Sequence, residues 1–180
     1  MPIQSVCVYC GSRDGGRESY GAAAEALGKG LAEHGLRLVY GAGDVGLMGR
    51  VARAAQAADG DTFGVIPEHL VRREIGKTDL TSYIVTETMH ERKKVMLYNA
   101  DAVVVLPGGA GSLDELFEAL TWRQLDLHRK PIYVLNIDDY WTPLKTLVDH
   151  IVAEGFAGED TAEALIWVSS VDDVMAQLTA

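Results

Sequence analysis

DAVVVLPGGAGSLDELFEAL, residues 101–120, changes character twice, and that stretch decides the fold. From Ala102 to Leu106 every side chain is apolar, as in a strand covered on both faces rather than one that alternates between core and water. Pro107 ends the run, and Gly108, Gly109 and Gly111 open the backbone into a turn. Leu113, Leu116, Phe117 and Leu120 then recur at helical spacing, placing a helix over 112–125 with that stripe inward. A doubly covered strand that turns straight into a helix is the repeating unit of a parallel sheet.

The same unit repeats in both directions along the chain. Strands are expected at 6–9, 37–40, 62–66, 83–86, 102–106, 131–135 and 165–168. Helices are expected at 18–34, 47–58, 87–100, 112–125, 143–153 and 171–178. Leu144, Leu147, Val148 and Ile151 make the stripe of the fifth helix, with Thr142 as its cap, Pro143 in its first turn and Gly155 at its stop. No repeat or Pro-rich linker interrupts the alternation. The reading is an α/β protein: a single domain over 1–180, doubly wound and Rossmann-like. Its mostly parallel sheet has about seven strands, with helices on both faces.

Composition narrows the partners. Of 180 residues, 48% are hydrophobic and 23% charged, the balance of a soluble globular chain. Sixteen Lys and Arg face 26 Asp and Glu, a net charge of −10, which repels nucleic acid and anionic membranes. An anionic ligand therefore needs a local basic pocket. The start, MPIQSVCVYCGS, has no basic n-region and no apolar run of signal-peptide length, so the expected compartment is the cytosol. Two cysteines make no disulfide framework. Cys7 and Cys10 spell CxxC, but within a strand that spacing sends them to opposite faces, and no partner ligands for zinc are suitably spaced. His34, His69, His128 and His150 read as structural or surface residues, and no metal site is expected.

Three glycine-bearing turns follow three expected strands on the edge where such sheets bind ligands: CGSRDGG (10–16), GAGDVGLMG (41–49) and PGGAGS (107–112). The second matches the dinucleotide pattern G-x-G-x-x-G, so an NAD(P)-dependent oxidoreductase is one reading. It departs from that fingerprint by following the second strand rather than the first, and by lacking a well-placed acidic partner. PGGAGS offers the main-chain N–H groups of Gly109 to Ser112, and the Ser112 hydroxyl, to a phosphate. Without Gly-Lys-Ser/Thr it is no triphosphate loop. Glu115, one helical turn on, is well placed to act on a sugar carried by that phosphate; the alternative is a capping box of Ser112 with Glu115. The basic cluster MHERKK (89–94) begins the preceding helix and brings Arg92 and Lys93 to the same edge; its alternative is a solvated helix face.

These residues together resemble the LONELY GUY family, the cytokinin riboside 5′-monophosphate phosphoribohydrolases, whose bacterial relatives often carry a "lysine decarboxylase" label. The family's PGGxGTxxE is matched by PGGAGSLDE (107–115), with Ser112 in place of Thr. Its MHxRK appears as MHERK (89–93), its GLMG turn within GAGDVGLMG, and its TWxQLxxHxKP as TWRQLDLHRKP (121–131), with CGS after the first strand. The likeness runs from Val6 to about Asn136. It implies that Glu115 is the catalytic carboxylate and Arg92 its partner. It also implies a substrate site of Glu74, Met89, Lys93, Gly108, Gly109, Ala110, Gly111, Ser112 and Thr121, with Gly41 and Gly43 of the second turn.

The implied reaction splits an N6-modified adenosine 5′-monophosphate into free base and ribose 5-phosphate, without a cofactor, in a homodimer. Two readings from other classes stand beside it: a nucleotide carrier without catalysis, and the oxidoreductase. Lysine decarboxylation is disfavoured, because no lysine has the surroundings of a pyridoxal-phosphate site.

Overall fold

The computed structural model describes residues 2–180. The chain runs β1 (Ser5–Tyr9), α1 (Glu18–Glu33), β2 (Arg37–Tyr40), α2 (Gly46–Ala57), β3 (Thr62–Pro67) and β4 (Ser82–Thr86). It continues through α3 (Met89–Tyr98), β5 (Ala102–Val105), α4 (Ala110–Gln124), β6 (Ile132–Leu135), α5 (Thr142–Ala153), α6 (Glu159–Glu163), β7 (Leu165–Val168) and α7 (Val171–Leu178). The strands form one sheet in the order β4-β3-β2-β1-β5-β6-β7, and every pairing within it is parallel. The expected α/β architecture is the one observed.

The continuous apolar runs have the predicted cause. All four residues of β5 are completely buried, because each face of the sheet carries its own core. One core takes Val6, Val8 and Val104 against α1, α2 and α7. The other takes Val103, Val105 and Ile132 against α3, α4, α5 and α6. Cys10 belongs to the first and Cys7 to the second, as the odd spacing requires. Both thiols are free, and burial pushes both far up, which withholds thiolate chemistry from them. At the opposite end of the central strand the Asp101 carboxylate accepts from the Gln4 and Ser5 N–H groups at 3.0 Å, fixing β1 beside β5.

The strand order places the site. From β1 the chain winds outward through β2 and β3 to β4, then returns across the sheet to β5 and winds the other way. The reversal lies between β1 and β5, where the loops beyond the strands part to either face and leave a crevice. Here those loops are 10–16 and 107–109, tied at one point by the Gly11 N–H donating to the Pro107 carbonyl at 3.0 Å. A second tie, Leu47 N–H to the Gly11 carbonyl at 3.0 Å, brings in the turn after β2. All three glycine turns thus share one edge.

The cap of the fifth helix differs from expectation. Thr142 lies inside α5, whose N-cap is Trp141, with Pro143 in the first turn as predicted. No side chain caps the fifth helix; the Asn136 side-chain oxygen accepts instead from the N–H of Trp141 itself at 2.6 Å. Gly155, just past its end, takes φ +77, the left-handed stop that glycine permits.

Candidate active site

A cleft of about 480 Å³ opens at the β1/β5 crevice, walled by the three glycine turns, the start of α3 and the first turn of α4. That size suits a small molecule. Its floor and its mouth are chemically different.

The mouth is the N-terminus of α4. Gly109 is the N-cap, and no side chain caps the helix, so the first-turn N–H groups are left for a ligand. Ser112 is therefore the third helical residue rather than a cap, and the capping box with Glu115 does not form. The box the chain does build is at α3: the Thr88 hydroxyl accepts from the Glu91 N–H at 3.2 Å, and the Glu91 carboxylate accepts from the Thr88 N–H at 3.0 Å. Thr-Met-His-Glu has the same S/T-x-x-E spacing, so the pattern alone does not tell the two apart.

The glycines of this turn divide by cause. A Cβ on Gly108 would lie 2.0 Å from the Ser112 Oγ, so packing demands glycine there. At Gly109 and Gly111 a Cβ would meet no atom within 4 Å, and neither has a left-handed φ. Neither fold nor backbone conformation requires glycine at those two positions. Both positions leave the main chain open to close approach by a ligand.

The floor is charged. Glu115 faces the cleft from the first turns of α4. Burial pushes its carboxyl up to about 7, opposed by the positive charge of Arg92 and reinforced by the negative charges of Glu74 and Asp114. Arg92 is itself buried. Its Nη2 donates to the Gly41 carbonyl at 2.6 Å and to Glu74 at 2.9 Å, and its Nε donates to the Val65 carbonyl at 3.1 Å. Nη1 donates to the Met89 sulfur at 4.0 Å, and both residues line the cleft. Gly41 makes this possible, since a Cβ there would sit 2.1 Å from Arg92 Nη2.

Of the residues expected in the site, Glu115, Arg92, Glu74, Met89, Gly41 and the turn from Gly108 to Ser112 all line the cleft. Three do not. Lys93 is one helical step from Arg92 and so turns toward α4, where it pairs with Asp114 and Glu118 at 2.9 Å each. Burial disfavours its charge, yet those two hydrogen bonds hold the ammonium above its ordinary pKa. Thr121 is nine residues past Ser112, about 14 Å along α4, and exposed. Gly43 packs behind the cleft, where a Cβ would press on Met48 and Glu74. The 10–16 turn and Met48 of the 41–49 turn line the wall as their place on the ligand edge implies, whereas Tyr20, Leu70, Met96 and Tyr140 were not singled out from the sequence. Tyr140 stands just beyond β6 on the ligand edge, and that position is the signal that could have found it.

The glycines of GAGDVG are spent on internal packing. Besides Gly41 and Gly43, Gly46 (φ +54) backs onto Ser12 and Arg13. Among the described residues no group of three or more His, Cys, Asp or Glu side chains could hold a metal ion.

Fold and cleft together define a doubly wound α/β protein with an anion-seeking helix terminus one turn from a half-buried carboxylate. Comparison with known proteins narrows that class. The family model described as "possible lysine decarboxylase" matches residues 48–178. The cytokinin riboside 5′-monophosphate phosphoribohydrolase LOG of Oryza sativa subsp. japonica is 42% identical over 98% of this chain and 73% of its own length. A cytokinin riboside 5′-monophosphate phosphoribohydrolase of Rhodococcoides fascians is 40% identical over 97% of this chain and 89% of its own. The chain belongs to this family, the LONELY GUY family of the sequence resemblance.

Solved structures share the fold at lower identity. The molybdenum cofactor binding protein of Rippkaea orientalis superposes with a TM-score of 0.75 at 20% identity, over 99% of this chain and 96% of that one. The molybdenum cofactor carrier protein of Chlamydomonas reinhardtii does so with 0.74 at 21%, over 97% of each. At that identity the likeness concerns the fold alone.

Proposed function

We propose that the protein hydrolyses the N-glycosidic bond of N6-modified adenosine 5′-monophosphates, cytokinin riboside 5′-monophosphates among them, releasing the free base and ribose 5-phosphate. Membership of the family whose relatives carry that name supports the reaction. The observation that carries the site assignment is the pair of glycines, 109 and 111, that packing does not require, one turn from Glu115.

The residues divide the work as follows. The N–H groups of Gly109, Ala110, Gly111 and Ser112 hold the 5′-phosphate at the α4 terminus, where the helix dipole favours an anion. The ribose then lies over Glu115. As the C1′–N bond breaks, its electron pair leaves on the base and positive charge gathers on the ribose, as in other glycoside cleavages. The ionised Glu115 carboxylate stabilises that charge and accepts a proton from the water whose oxygen bonds to C1′. Arg92, fixed by two main-chain carbonyls and Glu74, keeps a nearby positive charge that helps Glu115 to ionise. Its Nη1, whose partner is only the weak acceptor sulfur of Met89, is the group that turns to a ribose or phosphate oxygen when substrate binds.

The test is to incubate the purified protein with AMP and isopentenyl-AMP and to separate the products chromatographically. Free base is expected from at least one, and none from the Glu115→Gln variant. Absence of base from both would remove the catalytic reading; full activity in Glu115→Gln would remove Glu115 from the chemistry.

The assembly is proposed as a homodimer in the cytosol. Tyr98 (58% exposed) and Leu125 (63%) leave an apolar strip between α3 and α4, with the Tyr98 and Trp122 rings 6.1 Å apart. Free, buried cysteines suit a reducing compartment, and no described helix is long and apolar enough to cross a membrane. Sedimentation at twice the 19.5 kDa chain mass is expected.

A further inference from the structure

The Tyr140 hydroxyl donates to the Gly108 carbonyl at the entrance to the cleft. We propose that Tyr140 is a positioning residue that aims the first N–H of the phosphate-binding turn. The inference rests on the nucleotide reading above and adds a residue to it.

The reasoning starts from the turn's own looseness. Gly108 and Gly109 are consecutive glycines, and the freedom that lets their backbone approach a phosphate also lets the connecting peptide rotate. That peptide is planar and trans, so the Gly108 carbonyl and the Gly109 N–H point in opposite directions. Fixing the carbonyl fixes the N–H. Within the turn, Gly108 is confined on its Cα side by Ser112 and Gly11. The carbonyl is held from outside, by Tyr140.

Tyr140 is itself held by its backbone and by its ring contacts. It follows two successive non-glycine residues in the left-handed region, Asp138 (φ 50) and Asp139 (φ 61). Such backbone persists only where surrounding contacts over-determine it, and it gathers at functional sites. The contacts are present. The Asp138 carboxylate accepts from the Ser19 hydroxyl, and Arg17 Nη1 donates to the Asp138 carbonyl at 3.1 Å. The Tyr140 ring meets Tyr20 edge-on at 5.4 Å and Trp141 at 4.7 Å. Tyr20 in turn supports the first glycine turn, since a Cβ on Gly15 would lie 2.8 Å from its ring. A strained turn, an aromatic pair and one hydroxyl therefore link the loops after β1, β5 and β6 at the entrance to the cleft.

An N–H aimed at the phosphate is used equally before and during bond cleavage. Its loss should weaken binding and spare the chemical step. Tyr140→Phe keeps both ring contacts and removes the hydroxyl alone. Calorimetry of ribose 5-phosphate and of adenosine, with steady-state kinetics on isopentenyl-AMP, tests this. Ribose 5-phosphate affinity should fall about three- to ten-fold, the value of one hydrogen bond. KM should rise by the same factor, kcat should stay within about two-fold, and adenosine, lacking phosphate, should bind as before.

Unchanged ribose 5-phosphate affinity in Tyr140→Phe overturns the proposal. So does an equal loss for adenosine, which would mark a merely structural tyrosine. Failure of the unmutated protein to bind ribose 5-phosphate or release base would instead overturn the nucleotide reading, and this inference with it.

Discussion

Replacing Gly111 with alanine separates what the fold needs from what the ligand needs. Gly111 is the second residue of α4, and a Cβ there meets no atom within 4 Å. A glycine in a helix costs roughly 0.5–1 kcal/mol relative to alanine. With no clash to offset that gain, Gly111→Ala should be the more stable protein. In a chain of this size the gain corresponds to a melting temperature about 1–4 °C higher.

Binding should move the other way. The added methyl occupies the space through which a phosphate oxygen reaches the first-turn N–H groups. Losing one hydrogen bond to a charged group costs roughly 1.5–3 kcal/mol, or about ten- to a hundred-fold in affinity. Thermal unfolding and calorimetry with ribose 5-phosphate on the same preparation give both numbers. A higher melting temperature with undiminished affinity would refute the reasoning, because the phosphate would then lie elsewhere. A lower melting temperature would show that packing does require this glycine.

Further outcomes follow from the charged floor of the cleft. Between pH 4.5 and about 7 the folded chain keeps a proton on Glu115 that the unfolded chain has released, so stability contributed at this site falls as pH rises through that window. The full displacement corresponds to roughly 3 kcal/mol at most, and Glu115→Gln should abolish that part of the pH dependence and melt higher than the unmutated chain at pH 8. Because the ionised carboxylate is the working form, kcat/KM should rise with pH to a plateau above about 7; a flat profile across pH 6 to 8 would contradict that assignment. Arg92→Ala should lose activity and also about 3–5 kcal/mol of stability, since it strands Glu74 beside two buried carbonyls. Arg92→Lys should recover stability only in part, because a single ammonium cannot reproduce the fork. NAD and NADP should leave the melting temperature unchanged, and a rise of several degrees would revive the oxidoreductase reading.

Much of the chain was legible without coordinates. Continuous apolar runs such as Val103 to Leu106 mean strands covered on both faces, and stripes such as Leu116 and Leu120 mean helices packed on one side; both are local consequences of backbone period. The spacing of Cys7 and Cys10 fixed their separation across the sheet for the same reason. PGGAGS, Glu115 and MHERK were legible as a constellation because each sits at the carboxyl end of a strand or the start of the next helix, and the parallel fold gathers those ends along one edge. What these residues do there was not local. Ser112-Leu-Asp-Glu115 and Thr88-Met-His-Glu91 have the same capping spacing, and only the true start of each helix decided that the second is the box and the first is free for a ligand.

Tertiary neighbours likewise turned Lys93 toward Asp114 and Glu118, while sending Arg92 onto Gly41 and Val65. They assigned the glycines of GAGDVG to internal packing, and set Tyr140, on a loop after β6, against Gly108 after β5. Backbone period fixes which residues face the core of their own element. The order in which strands lie side by side decides which side chains from distant elements meet, and that order exists only once the sheet has formed.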